Sequence, residues 1–271
     1  MPFSDLPRAG AKRAQAWLRT DRRLERILRR GRLRGPQTIY SHELVVPMNS
    51  TYAPWHDDAA FRGAYDAVAG ATFVDQYKCY ELWEQLGQLG HVPGDVLEVG
   101  VWRGGTGTLM ARRLASLDPD ARVLLADTFS GVAKAGTEDP WYQGGEHSDT
   151  SPEMVQGLAD RVGVEVELLV GMFPDETAHL IEERRLRLVH IDVDVYASAR
   201  ETLEWAWPRL NVGGVVIWDD YGSFECEGVA TLGRQLFDAH LTGGRLVHNL
   251  NGHLMLFKLD DAPLPTLARA Y

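Results

Sequence analysis

The stretch DVLEVGVWRGGTG, residues 95–107, decides the fold. Its first half, Val96–Val99, reads as a short buried strand. The second half is a glycine-rich turn, with glycines at 100, 104, 105 and 107. Glycines at a strand end let the backbone approach a ligand closely and turn into a helix. The spacing departs from the GxGxxG of dinucleotide sites, and an acid, Glu98, stands two residues before the first glycine. A carboxylate there repels a pyrophosphate and attracts a cation, such as the aminoacyl end of S-adenosyl-L-methionine. Gly100, Gly104 and Thr106 are then the turn positions expected to touch such a donor.

Outward from this turn, short apolar runs alternate with helical patterns, the signature of a parallel sheet with crossover helices. Strands are expected at Val96–Val99, Arg122–Ala126, Glu165–Val170, Leu186–Ile191 and Gly214–Trp218. Helices are expected at Gln76–Gly87, Thr106–Ser116, Pro152–Arg161, Pro174–Glu183, Ala197–Arg209 and Val229–Ala239. Two further strands, Arg245–Leu250 and His253–Leu259, flank Asn251-Gly252, a strong hairpin signal. The expected architecture is α/β: a Rossmann-like class I methyltransferase fold, with a mostly parallel seven-stranded sheet ending in an antiparallel hairpin. Residues 1–75 read as a basic helix and a helical cap, and residues 76–271 as the methyltransferase domain.

The second strand ends at Asp127, where a carboxylate can accept two hydrogen bonds from a ribose diol. Met172 and Phe173, after the third strand, suit either an adenine pocket or the core. Four acids follow the fourth and fifth strands: Asp192 and Asp194 in HIDVDVY, Asp219 and Asp220 in WDDYG. Neighbouring parallel strands open onto one crevice, so these acids are expected to converge and repel one another. A hard divalent cation such as Mg2+ removes that cost, with Asp192, Asp219 and Asp220 as ligands. Asp194 is the candidate base, since i and i+2 of an extended segment share a face. The roles of Asp192 and Asp194 are interchangeable on sequence alone, and His147 is a third candidate. His190 reads as a core histidine.

The bulk numbers set outer limits. A chain of 271 residues with 45% hydrophobic content can bury one large core. Two cysteines are too few for a disulfide framework, and no apolar run is long enough to span a bilayer. With no secretory leader either, the expected compartment is the cytoplasm. Net charge is −10, yet residues 1–35 carry eleven Lys/Arg against three acids, +8, leaving −18 for the rest. An acidic body argues against nucleic acid as partner. The basic head, with Trp17, Leu18, Leu24, Ile27 and Leu28 at helical spacing, suits a packing helix or a homo-oligomer contact.

The strings FVDQYKCYELW, LEVGVWRGGTGTLMARRL, LLADTFSGV, LLVGMFPDET and HIDVDVYASARETLEWAWPRLNVGGVVIWDDYG together resemble the macrocin O-methyltransferase (TylF-type) family over roughly residues 70–258. The resemblance implies Mg2+-dependent methylation of a sugar hydroxyl or phenol of an antibiotic or related secondary metabolite. It also implies donor binding around Glu98, Gly100 and Asp127, and metal ligation by Asp192, Asp219 and Asp220. The metal arrangement is more distantly similar to catechol O-methyltransferases, whose lysine base is replaced here by Val195. Ser130–Thr150 is long and polar and reads as a lid, with Trp141 and Tyr142 stacking on the acceptor. Two other readings compete: a metal-independent N- or O-methyltransferase of the same fold, and a non-catalytic nucleotide-binding scaffold.

Overall fold

The computed structural model describes residues 53–249 and 251–267, all within the unit Thr51–Tyr271. The basic helix expected around Trp17–Leu28 lies outside the described residues. After a helical turn at Pro54–Asp57 come α1 (Ala59–Val68) and α2 (Gln76–Gln88). Both begin on aspartates that satisfy otherwise orphaned amides: Asp58 accepts from the Phe61 N–H at 2.9 Å, and Asp75 accepts from those of Tyr77 and Lys78. Then β1 (Asp95–Val99), α3 (Gly105–Ala115), β2 (Val123–Asp127), α4 (Pro152–Val162), β3 (Glu167–Val170) and β4 (Leu186–Ile191) follow. The chain continues with α5 (Tyr196–Ala206), β5 (Leu210–Trp218), α6 (Glu227–Asp238), β6 (Gly244–His248) and β7 (Leu254–Lys258).

The seven strands lie in the order β3-β2-β1-β4-β5-β7-β6, with β7 antiparallel to both neighbours and the others pairing in parallel. This is the class I methyltransferase fold. Because β1 is flanked by β2 on one side and β4 on the other, the chain switches direction there, opening a crevice at the strand ends. Alternate residues face opposite layers. Leu97, Val99, Val189, Ile191, Val216 and Trp218 pack towards α5 and α6, while Val96, Leu188, Val215 and Ile217 pack towards α2, α3 and α4. Each fully buried Leu or Val contributes roughly 1.5–3 kcal/mol by leaving water. A third cluster joins Phe61, Ala64 and Val68 of α1 to Trp83, Leu109 and Leu158.

Where an α-helix was expected at Pro174–Glu183, the chain forms turns and a 3-10 segment, Ala178–Ile181. Only Ala178 and Ile181 of that segment are buried, so one short apolar contact holds it and no continuous stripe favours an α-helix. Among the described residues, no helix is long and apolar enough to cross a membrane.

Candidate functional site

Hydrogen bonds of the sheet continue one residue past the strand ends. Gly100 N–H donates to Ala126 O, Asp192 N–H to Val99 O and Asp219 N–H to Ile191 O, at 2.9–3.1 Å. This extension lines up the glycine turn and the two acid pairs along the rim of a cavity of about 400 Å³. Gly100, Thr106, Asp127, Met172, Phe173, Asp192, Asp194, Asp219 and Asp220 all line it, as do Lys78, Tyr142 and His147.

At the glycine-turn end, Gly100 has φ +86°, and a Cβ there would lie 1.8 Å from Asp192 O. No side chain fits without pushing the end of β4 away. Gly100→Ala is therefore expected to cost about 3 kcal/mol, at the large end of single-residue effects, with a lowered melting temperature by calorimetry. A melting temperature unchanged from wild type would mean that this close approach does not hold. Asp127 clamps the turn: one oxygen accepts from the N–H groups of Val101 (2.7 Å) and Trp102 (2.9 Å), the other from that of Phe129 (2.7 Å).

Two expected donor contacts are placed differently. Glu98 is fully buried and does not line the cavity; it is the register partner of His190 across β1 and β4, and Oε1 lies 2.9 Å from His190 Nδ1. Residues paired in register on adjacent strands share a face, which is why the carboxylate turns inward to the imidazole instead of outward to a ligand. Any pull it exerts on a cationic donor acts through the wall. Gly104 also lies outside the lining, covered by Val155, and its φ of +84° serves the turn into α3. Gly107 explains part of the glycine pattern: a Cβ there would sit 2.5 Å from Glu98 Oε2, so the glycine lets α3 lie on the buried acid.

At the other end, oxygens of Asp192, Asp219 and Asp220 lie within 4.8 Å of one another. Two ionised carboxylates at that spacing repel by roughly 3–4 kcal/mol at an effective dielectric of about 20. Burial, and then Asp219 and Asp220, push Asp192 well above the usual carboxylate range. Burial, with Asp194 and Asp219, raises Asp220 to about 8. Asp219 goes the other way. Burial opposes its charge, but His190, His253 and Lys78 around it hold its carboxyl well below the ordinary value. Lys78 Nζ donates to Asp219 Oδ2 and to its carbonyl, both at 2.8 Å, and His253 Nε2 lies 2.9 Å from Oδ1. His190 Nε2 is 3.9 Å from that same oxygen, beyond hydrogen-bond reach. The core position expected for His190 holds, but its ring belongs to this charged network.

Asp194 is not in an extended segment. Its φ is +64°, so the i, i+2 argument for a face shared with Asp192 does not apply. The Asp194 carboxylate groups with Asp220 and Cys226, and so joins the Asp192–Asp219–Asp220 cluster through Asp220. Its N–H donates to Asp220 Oδ2 (3.1 Å), and its Oδ1 accepts from the Tyr142 hydroxyl (2.8 Å). Tyr142 comes from the long polar segment, which is fastened at several points. Asp139 Oδ1 accepts from the Tyr196 N–H, Asp149 accepts from the Trp102 indole and the Arg103 guanidinium, and Thr150 donates to the Trp102 carbonyl. Trp141 packs on Phe224 at the rim, and His147 meets Phe73, itself stacked on Trp102 at 4.0 Å.

Lys78, Glu81 and His253 escape a reading of the sequence. Lys78 left one trace: it falls on the apolar stripe of α2 with Cys79, Leu82, Trp83 and Leu86, and is itself buried. His253 has none, being 34 residues from one partner and 172 from the other.

The model of the family described as macrocin O-methyltransferase (TylF) matches residues 67–235. The chain belongs to this family. The chain is 37% identical over 146 residues to the 8-demethyl-8-(2,3-dimethoxy-alpha-L-rhamnosyl)-tetracenomycin-C 4'-O-methyltransferase of Streptomyces olivaceus, covering 50% of this chain and 56% of that protein. It is 38% identical over 143 residues to the mycinamicin III 3''-O-methyltransferase of Micromonospora griseorubida, covering 48% and 56%. The matches thus span little more than half the length of these relatives. Among solved structures, the O-methyltransferase NovP superposes with a TM-score of 0.58 at 27% identity, over 70% of this chain and 83% of that one. The calicheamicin methyltransferase CalS11, at 17% identity, shares the fold, with a TM-score of 0.58 over 82% and 99%.

Proposed function

We propose that this chain transfers the methyl group of S-adenosyl-L-methionine to a hydroxyl of a small molecule, most simply a sugar or phenol of a secondary metabolite, in an Mg2+-dependent reaction. The observation that carries the reading is the meeting of the glycine turn and the acid cluster in one cavity. Family membership and the names of the relatives, which act on sugar hydroxyls of antibiotics, support the acceptor class. The donor would lie along Gly100, Thr106 and Asp127, with its charged end towards the acids.

The donor set fits a hard cation: three carboxylates lie within 4.8 Å, two of them raised by burial and mutual repulsion. Asp192, Asp219 and Asp220 would hold Mg2+, which when bound makes a coordinated hydroxyl more acidic and orients it. Asp194 stands beside this group, with Tyr142 on one oxygen, and would accept the proton of the acceptor hydroxyl. The stacked Phe73 and Trp102, and Phe224 with Trp141 packed on it, would exclude water from the acceptor and hold it in line with the methyl group, the positioning that such a transfer chiefly needs.

One observation favours metal-independent turnover: Lys78 already sets a positive charge against Asp219. Chelation separates the two readings. EDTA is expected to lower methyl transfer to a rhamnosylated or phenolic acceptor at least a hundredfold, with Mg2+ restoring it, as read by mass spectrometry. Turnover unaffected by EDTA would reject the metal.

A further inference from the structure

We infer that Glu81 and His253 form a positioning device that fixes the Asp219 carboxylate for the divalent cation. The inference rests on the metal-dependent reading above. His253 is fully buried immediately before β7, outside the 67–235 stretch that the family model matches. Its ring spans two carboxylates. Nδ1 lies 2.6 Å from Glu81 Oε2 on α2, and Nε2 lies 2.9 Å from Asp219 Oδ1 at the end of β5. With an acceptor on each side, the ring cannot rotate without withdrawing its hydrogen bond from Oδ1 of the buried Asp219, and a buried acceptor that loses its donor costs more than the hydrogen bond itself is worth.

The hairpin is built to hold this ring. Asn249 Oδ1 accepts from the N–H groups of Asn251 and His253, and the Asn249 side-chain amide donates to Glu81. The turn therefore fixes both the backbone of His253 and the carboxylate behind it. Lys78, one helical turn from Glu81 on α2, closes on the other oxygen of Asp219 at 2.8 Å. Asp219 is thus clamped from α2 on one oxygen and from the turn before β7 on the other. The torsion of its side chain is set before any cation arrives, and one lone pair on each oxygen remains. Among the described residues Asp192 has no comparable clamp and Asp220 accepts one backbone N–H, from Asp194, which makes Asp219 the most firmly held of the three acids. A carboxylate–histidine chain behind a ligating group typically changes metal affinity about 10- to 100-fold when broken.

The test is Mn2+ binding by electron paramagnetic resonance on the full chain, with S-adenosylmethionine binding by calorimetry and melting temperature measured alongside. His253→Ala is expected to weaken Mn2+ binding about 10- to 100-fold while the donor's affinity stays within twofold. Glu81→Gln keeps the shape and loses the charge, and is expected to fall between wild type and His253→Ala. If His253→Ala does not fold, Glu81→Gln and His253→Gln carry the measurement. Mn2+ affinity within twofold of wild type in folded variants overturns the positioning role alone. Equal losses of Mn2+ and donor binding also overturn it, since they would mark a general structural role. A wild-type protein that binds no Mn2+ overturns the metal reading and this inference with it.

Discussion

Replacing Asp194 by Asn is expected to lower turnover by roughly two to four orders of magnitude, the usual worth of a positioned general base, with donor binding unchanged. The substitution is unusually clean. Asp194 adopts φ +64°, a conformation that Asn tolerates nearly as well as Asp and other side chains resist. The amide oxygen can still accept from the Tyr142 hydroxyl, and the backbone N–H that donates to Asp220 is untouched. Shape and hydrogen bonds survive, and basicity is lost. The measurement is single-turnover methyl transfer at saturating donor and acceptor, beside calorimetric titration of the donor. A fall in kcat with KM for both substrates within threefold supports a proton acceptor. Turnover within fivefold of wild type would move the role to Asp192 or His147, both of which line the same cavity.

How far the sequence led depended on the range of the interactions concerned. The strand ends and the turn into α3 were legible because each is a local event: an apolar run, then glycines at positions where a Cβ collides with Asp192 or Glu98. The convergence of Asp192, Asp219 and Asp220 was legible because adjacent parallel strands leave their ends on one edge. Glu98 misled, because its orientation depends on His190, its register partner across β1 and β4. Asp194 misled through a backbone torsion that no periodicity announces. Lys78, Glu81 and His253 were out of reach for a third reason. Lys78 and His253 meet at Asp219, and Glu81 meets His253, only through contacts that join α2, the end of β5 and the residue before β7, and beyond the burial of Lys78 on its helix nothing local prefigures that meeting.

Asp192→Ala separates chemistry from stability most sharply. Turnover is expected to fall at least a thousandfold, an upper-range effect for removal of a group acting on the reacting oxygen, and Mn2+ binding should weaken with it. The fold should not suffer. Asp192 makes no side-chain hydrogen bond within the described protein, its side chain faces the cavity, and its charge is opposed by burial and by both neighbouring acids. Truncation therefore opens no closed void and removes two repulsions. Without added metal, the variant is expected to be more stable than wild type by about 1 kcal/mol, the lower end of what relieving a poorly compensated buried charge returns. For a domain of this size that is a melting temperature roughly 2–4 °C higher. With Mg2+ added, the order should reverse, since wild type binds the cation more tightly and gains more from ligand linkage. A metal-free variant that melts lower than wild type would mean that Asp192 is held by contacts that stabilise it. The crowding of acids would then not be what makes a cation necessary. Retained turnover in a variant that melts higher would leave the electrostatic account standing and remove Asp192 from the reaction.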